Sequence, residues 1–370
     1  MTHPLSRRHF VQAASAAIVT SAVPALQAQE AARRFEPKPT GWRAFEVTTT
    51  VKLHNANGAS TVWLPVASLD TPWQRTSDTS WTGNSSNVRL ASDGDTGAKV
   101  LVAQFDASTR EPTLVLTNRV ETQNRGVDWK ERVRPVADPA DLRKWLEPSD
   151  LISVDGIVRK VATQIVLGAR DDREKAQRIY DWVIVSTYRE PKVRGCGAGD
   201  IRTMLETGNL SGKCADINAL FVGLCRAAGV PARDIYGVRL VPSAFGYREL
   251  GANPASLKGA QHCRAEVFLK AHGWVAMDPA DVTKVMRQES AEWIKDAGHP
   301  LVAPVRRALF GSWEGNWMGY NTASDVTLPG ARQPRLGFFM YPQAEVAGVA
   351  RDPYEPDSFA YQITAREITA

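Results

Sequence analysis

A chain of 370 residues with 43% hydrophobic and 23% charged residues has a globular composition, which excludes a disordered or fibrous protein, and its length allows about two domains. The net charge of +5 is spread along the chain without a dense Lys/Arg block, so no nucleic-acid partner is expected. Cys196, Cys214, Cys225 and Cys263 are irregularly spaced, with no C-x-x-C pair and no H-E-x-x-H run. A metal site therefore has no support, and no cofactor is expected.

Residues 1–28 read as an export signal. Arg7 and Arg8 precede Phe10, and a short run rich in Ala, Ser and Thr follows from Ala13 to Ala28. The paired arginines point to a signal of the twin-arginine type. The run is too short and too polar for a spanning helix, and no later stretch is apolar enough. The expected mature protein is periplasmic or secreted, without a membrane span. Residues 29–40 are polar, contain proline, and read as a linker.

From 41 to 137 the pattern is that of strands. "FEVTTTVKL", "STVWLPVA", "KVLVAQFD" and "TLVLTNRVETQ" are separated by turn clusters such as "TGNSSN" and "SDGDTG", as in a small all-β sandwich-like domain. No group of chemically active residues falls within it.

Helices begin at "DPADLRKWL", where Asp138 can cap, Pro139 suits the first helical position and Pro148 ends the run. A second helix is predicted over 151–167, with Ile157, Val161 and Ile165 on one face. A third is predicted over 172–187, with Ala176, Ile179, Tyr180 and Val183 in register. The glycine-rich "RGCGAGD" lacks the Gly-Lys-Ser/Thr ending and the preceding strand of a phosphate loop. It reads as a turn beside a cleft.

The next helix, predicted over 214–228, is apolar nearly all round and carries only Asp216, Asn218 and Arg226 as polar residues. Such a helix belongs in the centre of a core. Gly229 suits a left-handed end and Pro231 bars continuation. Cys214 opens this helix. There the unpaired N–H groups and the helix dipole favour a thiolate, and its own N–H suits an oxyanion. A small buried core cysteine is the competing reading.

"AQHCRAEVFLKAHGWVAMDPAD" reads as a hairpin. Cys263, Ala265, Val267 and Leu269 share one face of its first strand, and His262, Arg264 and Glu266 share the other. A three-residue loop would set Asp278 opposite Arg264, on the face of His262 and diagonal to it. A carboxylate so placed fixes the imidazole tautomer and makes it a base. Asp281 is a spare carboxylate, and Cys225 and Cys263 read as core. An oxidising compartment leaves a Cys196–Cys263 disulfide open. The aromatic "FGSWEGNWMGYN" (310–321) reads as packing onto the core, with a groove wall as the alternative.

"GKCADINALFVGLCRAAGVPAR" followed by "HCRAEVFLKAHGWVAMDPAD" resembles the core of the transglutaminase-like superfamily. The resemblance covers about residues 171–281. It implies an α+β, papain-like core, with N-terminal helices on an antiparallel sheet, and a Cys-His-Asp triad. Cys214 matches the nucleophile, His262 the general base and Asp278 the residue that orients it. Arg264 stands where the family often has an aromatic residue. It either favours an acidic substrate or pairs with Glu266 or Asp278 to hold the hairpin.

The expected division is therefore a signal (1–28), a linker (29–40), a sandwich-like domain (41–137), a transglutaminase-like core (138–285) and a C-terminal extension packing on the core (286–370). The expected activity is acyl transfer from amide bonds through a Cys thioester. Hydrolysis, as in a protease or amidase, is favoured over transamidation. The partner is a peptide or other amide-bearing substrate, cell-envelope material included. The alternative is a non-catalytic binding or adaptor protein of the envelope. No residue could be assigned to substrate binding.

Overall fold

The computed structural model describes residues 33–133, 135 and 137–369, so the export signal read over 1–28 lies outside the described residues. The described part of the linker lies against the core. Phe35 packs on Phe245 and Tyr247 with ring centroids 5.0 and 5.7 Å apart, and Arg33 Nη1 donates to Glu289 Oε1 at 2.7 Å.

Strands form over Arg43–Leu53, Ser60–Pro65, Lys99–Phe105 and Thr113–Thr122, where apolar alternation predicts them. Two more, Gln74–Gly83 and Asn87–Ser92, are mostly exposed and lie at sheet edges. With little to bury, they carry no alternation to read. One sheet runs Phe359–Ile368, Arg43–Leu53, Thr113–Thr122, Gln74–Gly83. The other runs Val349–Arg351, Gln343–Val346, Ser60–Pro65, Lys99–Phe105, Asn87–Ser92. Phe45, Val47 and Leu53 of the first share an apolar core with Val62, Leu64 and Leu101 of the second.

The segment from 286 onward thus does more than lie on the core. Its Trp317–Asn321 stretch is a strand of the core sheet, and its last three strands complete both sandwich sheets. The open edge of Arg43–Leu53 offers unpaired backbone groups, and Phe359–Ile368 takes them up while burying Phe359, Tyr361 and Ile363.

The helices are α1 (Pro139–Lys144), α2 (Gly156–Ile165), α3 (Asp172–Ser186), α4 (Ile201–Thr207), α5 (Cys214–Ala227), α6 (Pro279–Lys284) and α7 (Ala303–Ala308). Asp138 caps α1 by accepting from Ala140 N at 2.8 Å. Helix α2 starts five residues later than its apolar pattern, because Ser149 Oγ accepts from Ile152 N at 3.2 Å and closes a turn first. Helix α4 has no long apolar period. Its signals are Asp200, which accepts from Thr203 N at 3.1 Å, and Gly208 at φ +70°.

All 14 residues of α5 are buried. Gly229 at φ +79° ends the helix in the left-handed region. Arg226 donates to the carbonyls of Ala232 and Glu147 at 2.8 and 2.9 Å, which satisfies a charge that burial would otherwise penalise.

Helix α5 packs on an antiparallel sheet ordered Gly273–Met277, Gln261–Leu269, Ala232–Arg239, Trp317–Asn321. In the hairpin, Leu269 pairs with Gly273 and Ala265 with Met277. The loop is therefore residues 270–272, and Asp278 follows on the face of His262. This α+β core, with a sheet-rich region beside it, is the fold class expected.

Candidate active site

Cys214 is the first residue of α5 and is 2% exposed. Its N–H is one of the first-turn donors that have no acceptor within a helix. The turn before it is held by Asp216, a polar residue of the buried helix. Asp216 Oδ2 accepts from Lys213 N at 2.9 Å, and Oδ1 accepts from Ala198 N and Gly199 N, both at 2.9 Å. One carboxylate thus joins the glycine-rich loop to the start of α5. Ala215 N donates to Cys196 O at 2.9 Å, which lays the Cys196 loop alongside Cys214.

His262 lies on the second core strand and pairs with Gly237. A Cβ at 237 would fall 2.1 Å from Met318 O and 2.5 Å from the Trp317 ring. The glycine therefore admits Trp317, whose Nε1 donates to His262 O at 2.9 Å. The imidazole Nε2 is 2.7 Å from Asp278 Oδ2 and 3.4 Å from Asp281 Oδ2. With Nε2 committed to carboxylate, Nδ1 is left for the thiol.

Asp278 is fully buried at the start of α6. Its Oδ1 accepts from Asp281 N at 3.1 Å and from Asn218 Nδ2 at 3.3 Å. Asn218 also donates to Cys263 O at 2.9 Å and accepts from Ala280 N at 3.2 Å. Asp281 is paired with Arg239. Arg264 does not reach the cleft. It is buried, donates to Glu314 O at 2.9 Å, and lies over the Trp317 ring at 4.8 Å, with Nε 3.7 Å from Asp278 Oδ2. It holds the hairpin from behind. Glu266 pairs instead with Arg125 and Arg233.

Charge follows this geometry. The neighbouring thiols of Cys196 and Cys263, and then the His262 ring, hold the Cys214 thiol well below its usual value, against burial. Cys196 is pushed up, first by its neighbour Cys214 and then by burial, and Cys263 chiefly by burial. Both thus stay protonated, and Cys196 Sγ donates to Gln261 O at 3.3 Å. Burial and Arg239 alone would lower His262, but Asp281 and Asp278 outweigh them and raise it. Burial raises Asp278, reinforced by Asp281 and opposed by His262. Burial opposes ionisation of Asp281, yet Arg239, His262 and Arg264 hold it well below the carboxylate range. A thiolate beside an imidazolium is the pairing these shifts favour.

All four cysteines are free thiols, so the Cys196–Cys263 disulfide is not formed. Cys225 is core, raised by burial alone. His262, Asp278 and Asp281 bring donor atoms within 4.8 Å of one another. As a metal site the set fits poorly, because Arg239 and Arg264 already supply cations to the two carboxylates. Cys214 and His262 open on a cavity of about 230 Å³.

The sequence brings Cys214, His262 and Asp278 forward, and the structure places all three in this cluster. It adds Asn218, Asp216 and Cys196, and it brings the spare carboxylate Asp281 within 3.4 Å of the His262 ring. Asn218 and Asp216 carry a legible signal, since a polar residue on a helix buried all round needs an internal partner.

Residues 159–279 match the transglutaminase-like superfamily. An uncharacterized protein of Haemophilus influenzae is 33% identical over 342 residues, which cover 88% of this chain and 91% of that one. The fold is similar to that of a Cytophaga hutchinsonii protein proposed to be a cysteine protease. That structure is 17% identical, with a TM-score of 0.50 over 89% of this chain and 99% of that one. The periplasmic domain of TgpA from Pseudomonas aeruginosa is 16% identical, with a TM-score of 0.34 over 75% of this chain and 99% of that one.

Proposed function

Residues 159–279 belong to the transglutaminase-like superfamily, and on that premise we propose that the chain is an exported thiol enzyme that transfers acyl groups from amide bonds. The observation that carries this reading is the His262–Asp278 contact of 2.7 Å beside a helix-initial Cys214, with Cys214 and His262 opening on one cavity.

In the proposed reaction the Cys214 thiolate attacks an amide carbonyl and the C–S bond forms. The C–N bond then breaks, and the His262 imidazolium gives its proton to the departing amine. Water attacks the thioester, His262 takes its proton, and the thiolate leaves with the acid released. Asp278 orients the ring throughout. The Cys214 N–H faces the developing oxyanion.

Hydrolysis needs only water, whereas transamidation needs a second, amine-binding site and exclusion of water. We therefore place protease or amidase activity first. Residues 1–28 would export the chain to the periplasm. No helix of the described residues is long and apolar enough to cross a membrane.

A library of donor amides, with and without an added primary amine and read by mass spectrometry, tests the reading. The expected result is hydrolysis that Cys214→Ala abolishes without unfolding the protein. Activity retained in Cys214→Ala would overturn the mechanism. A folded wild type inert to every donor, with a Cys214 that resists alkylation, would favour a binding protein.

A further inference from the structure

The cavity over Cys214 is basic. Arg189, Arg239, Lys258 and Lys284 line it, and among the described residues no Asp or Glu does. Two of these cations are spent. Arg239 is paired with Asp281, and Lys284 lies 3.4 Å from Glu249 Oε2. Arg189 and Lys258 have no carboxylate partner among the described residues.

Arg189 is built into the site rather than draped over it. Its backbone lies beside Gly212, two residues before the nucleophile, in a short parallel pairing, and Glu190 N donates to Gly212 O at 2.8 Å. Its Nε donates to Gln288 Oε1 at 2.5 Å. One edge of the guanidinium is thereby fixed, and the two Nη groups are left for a ligand. Lys258 lies over the Tyr361 ring at 5.0 Å, at the rim. The crowding of positive charge registers on a neighbour: burial, Arg239 and Arg189 together push Lys284 down to about 8.

A volume of about 230 Å³ is several times the roughly 30 Å³ a water occupies, so it admits a group of about one amino-acid residue. A guanidinium held in place recognises a carboxylate through two parallel N–H···O bonds, and Arg189 is half-buried.

We propose that the amide offered to Cys214 carries a free carboxylate beside the scissile bond, held by Arg189 with Lys258 at the cavity mouth. This rests on the thiol reading above and adds its substrate class. Arg264, the cation that the sequence suggested for such a role, is spent on Glu314 O and Asp278.

Two alkylating reagents test it on the intact protein without knowledge of the substrate. Iodoacetate is an anion of nearly the size of neutral iodoacetamide, and each forms an S–C bond as iodide leaves. Peptide mapping follows the rate at Cys214. Iodoacetate is expected to react about tenfold faster relative to iodoacetamide than it does with a free thiol. Arg189→Gln should remove that preference, Arg189→Lys should keep most of it, and Lys258→Gln, at an exposed position, should weaken it. Labelling of Cys214 by both reagents with no anionic preference, or with the same preference in Arg189→Gln, overturns the carboxylate site and leaves the thiol reading standing. Failure of both reagents to label Cys214 overturns the thiol reading and this inference with it.

Discussion

Asn218 lies one helical turn beyond Cys214, and its side-chain amide donates to Asp278 Oδ1 at 3.3 Å. The same side chain ties Cys263 O and Ala280 N, so one residue of α5 fixes the carboxylate that faces His262. Truncation would leave Ala280 N without its acceptor and take a donor from Cys263 O and from Asp278 Oδ1. Asn218→Ala is expected to cost about 1–3 kcal/mol of stability and to slow acyl transfer more than it weakens substrate binding. Urea unfolding and the split between kcat and KM measure the two effects. An unchanged kcat would mean that Asp278 is held without Asn218.

The charge state of the Cys214–His262 pair sets a pH window. Cys214 is lowered, first by Cys196 and Cys263 and then by His262, and His262 is raised by Asp281 and Asp278 against its burial. The two shifts act together to favour thiolate with imidazolium over the neutral pair. Iodoacetamide alkylation of Cys214 should be near its plateau by about pH 7, where an ordinary thiol of pKa about 8.5 still gains tenfold per unit. His262→Ala should move the midpoint upward. A rate that climbs through about pH 8.5 in the wild type would contradict an ion pair.

Away from the site, Asp234 is buried in the core sheet with neither carboxylate oxygen bonded. Burial pushes it up to about 7. Its folded value thus exceeds its unfolded value of about 3.9, and the protein loses stability as pH rises between the two. Asp234→Asn should stabilise at about pH 8, by no more than about 4 kcal/mol, and the gain should vanish below about pH 4, where both side chains are neutral. Equal gains at both pH values in chemical denaturation would show that the carboxylate is not the cause.

Gly197 takes φ +93°, and a Cβ there would fall 1.8 Å from Asp216 Oδ2. Gly197→Ala should therefore push away the carboxylate that joins the Cys196 loop to the start of α5. A loss of about 1–3 kcal/mol is expected, together with slower alkylation of Cys214. Normal stability and normal alkylation in this variant would remove Asp216 from the positioning of the thiol.

What could be read from the chain was local. The position of Cys214 at a helix start and the parity of His262 and Asp278 are properties of short segments, and the hairpin register follows from one loop length. Asp216 and Asn218 stood out as polar residues on an apolar helix, but their partners lie on other elements. Arg189 gave no signal, because its importance depends on Gly212 lying beside it. The strands Gln343–Val346 and Phe359–Ile368 were missed as members of the sandwich for the same reason. Their partners, Ser60–Pro65 and Arg43–Leu53, lie most of the chain away, and no period within a segment records such a pairing.

That pairing bears on how the molecule is assembled. Until residues 359–368 have been synthesised, the strand Arg43–Leu53 is an open edge with Phe45, Val47 and Val51 waiting on its inner side, a template for wrong partners. The thiol domain is in effect an insert between the first and last strands of the sandwich. Contacts of such long sequence separation form late, so the enclosure of the insert is a final act of folding. Ala44 lies opposite Ile368, so tension applied at the two ends of this pair would open it like a zipper, one rung at a time, before any load reached Cys214.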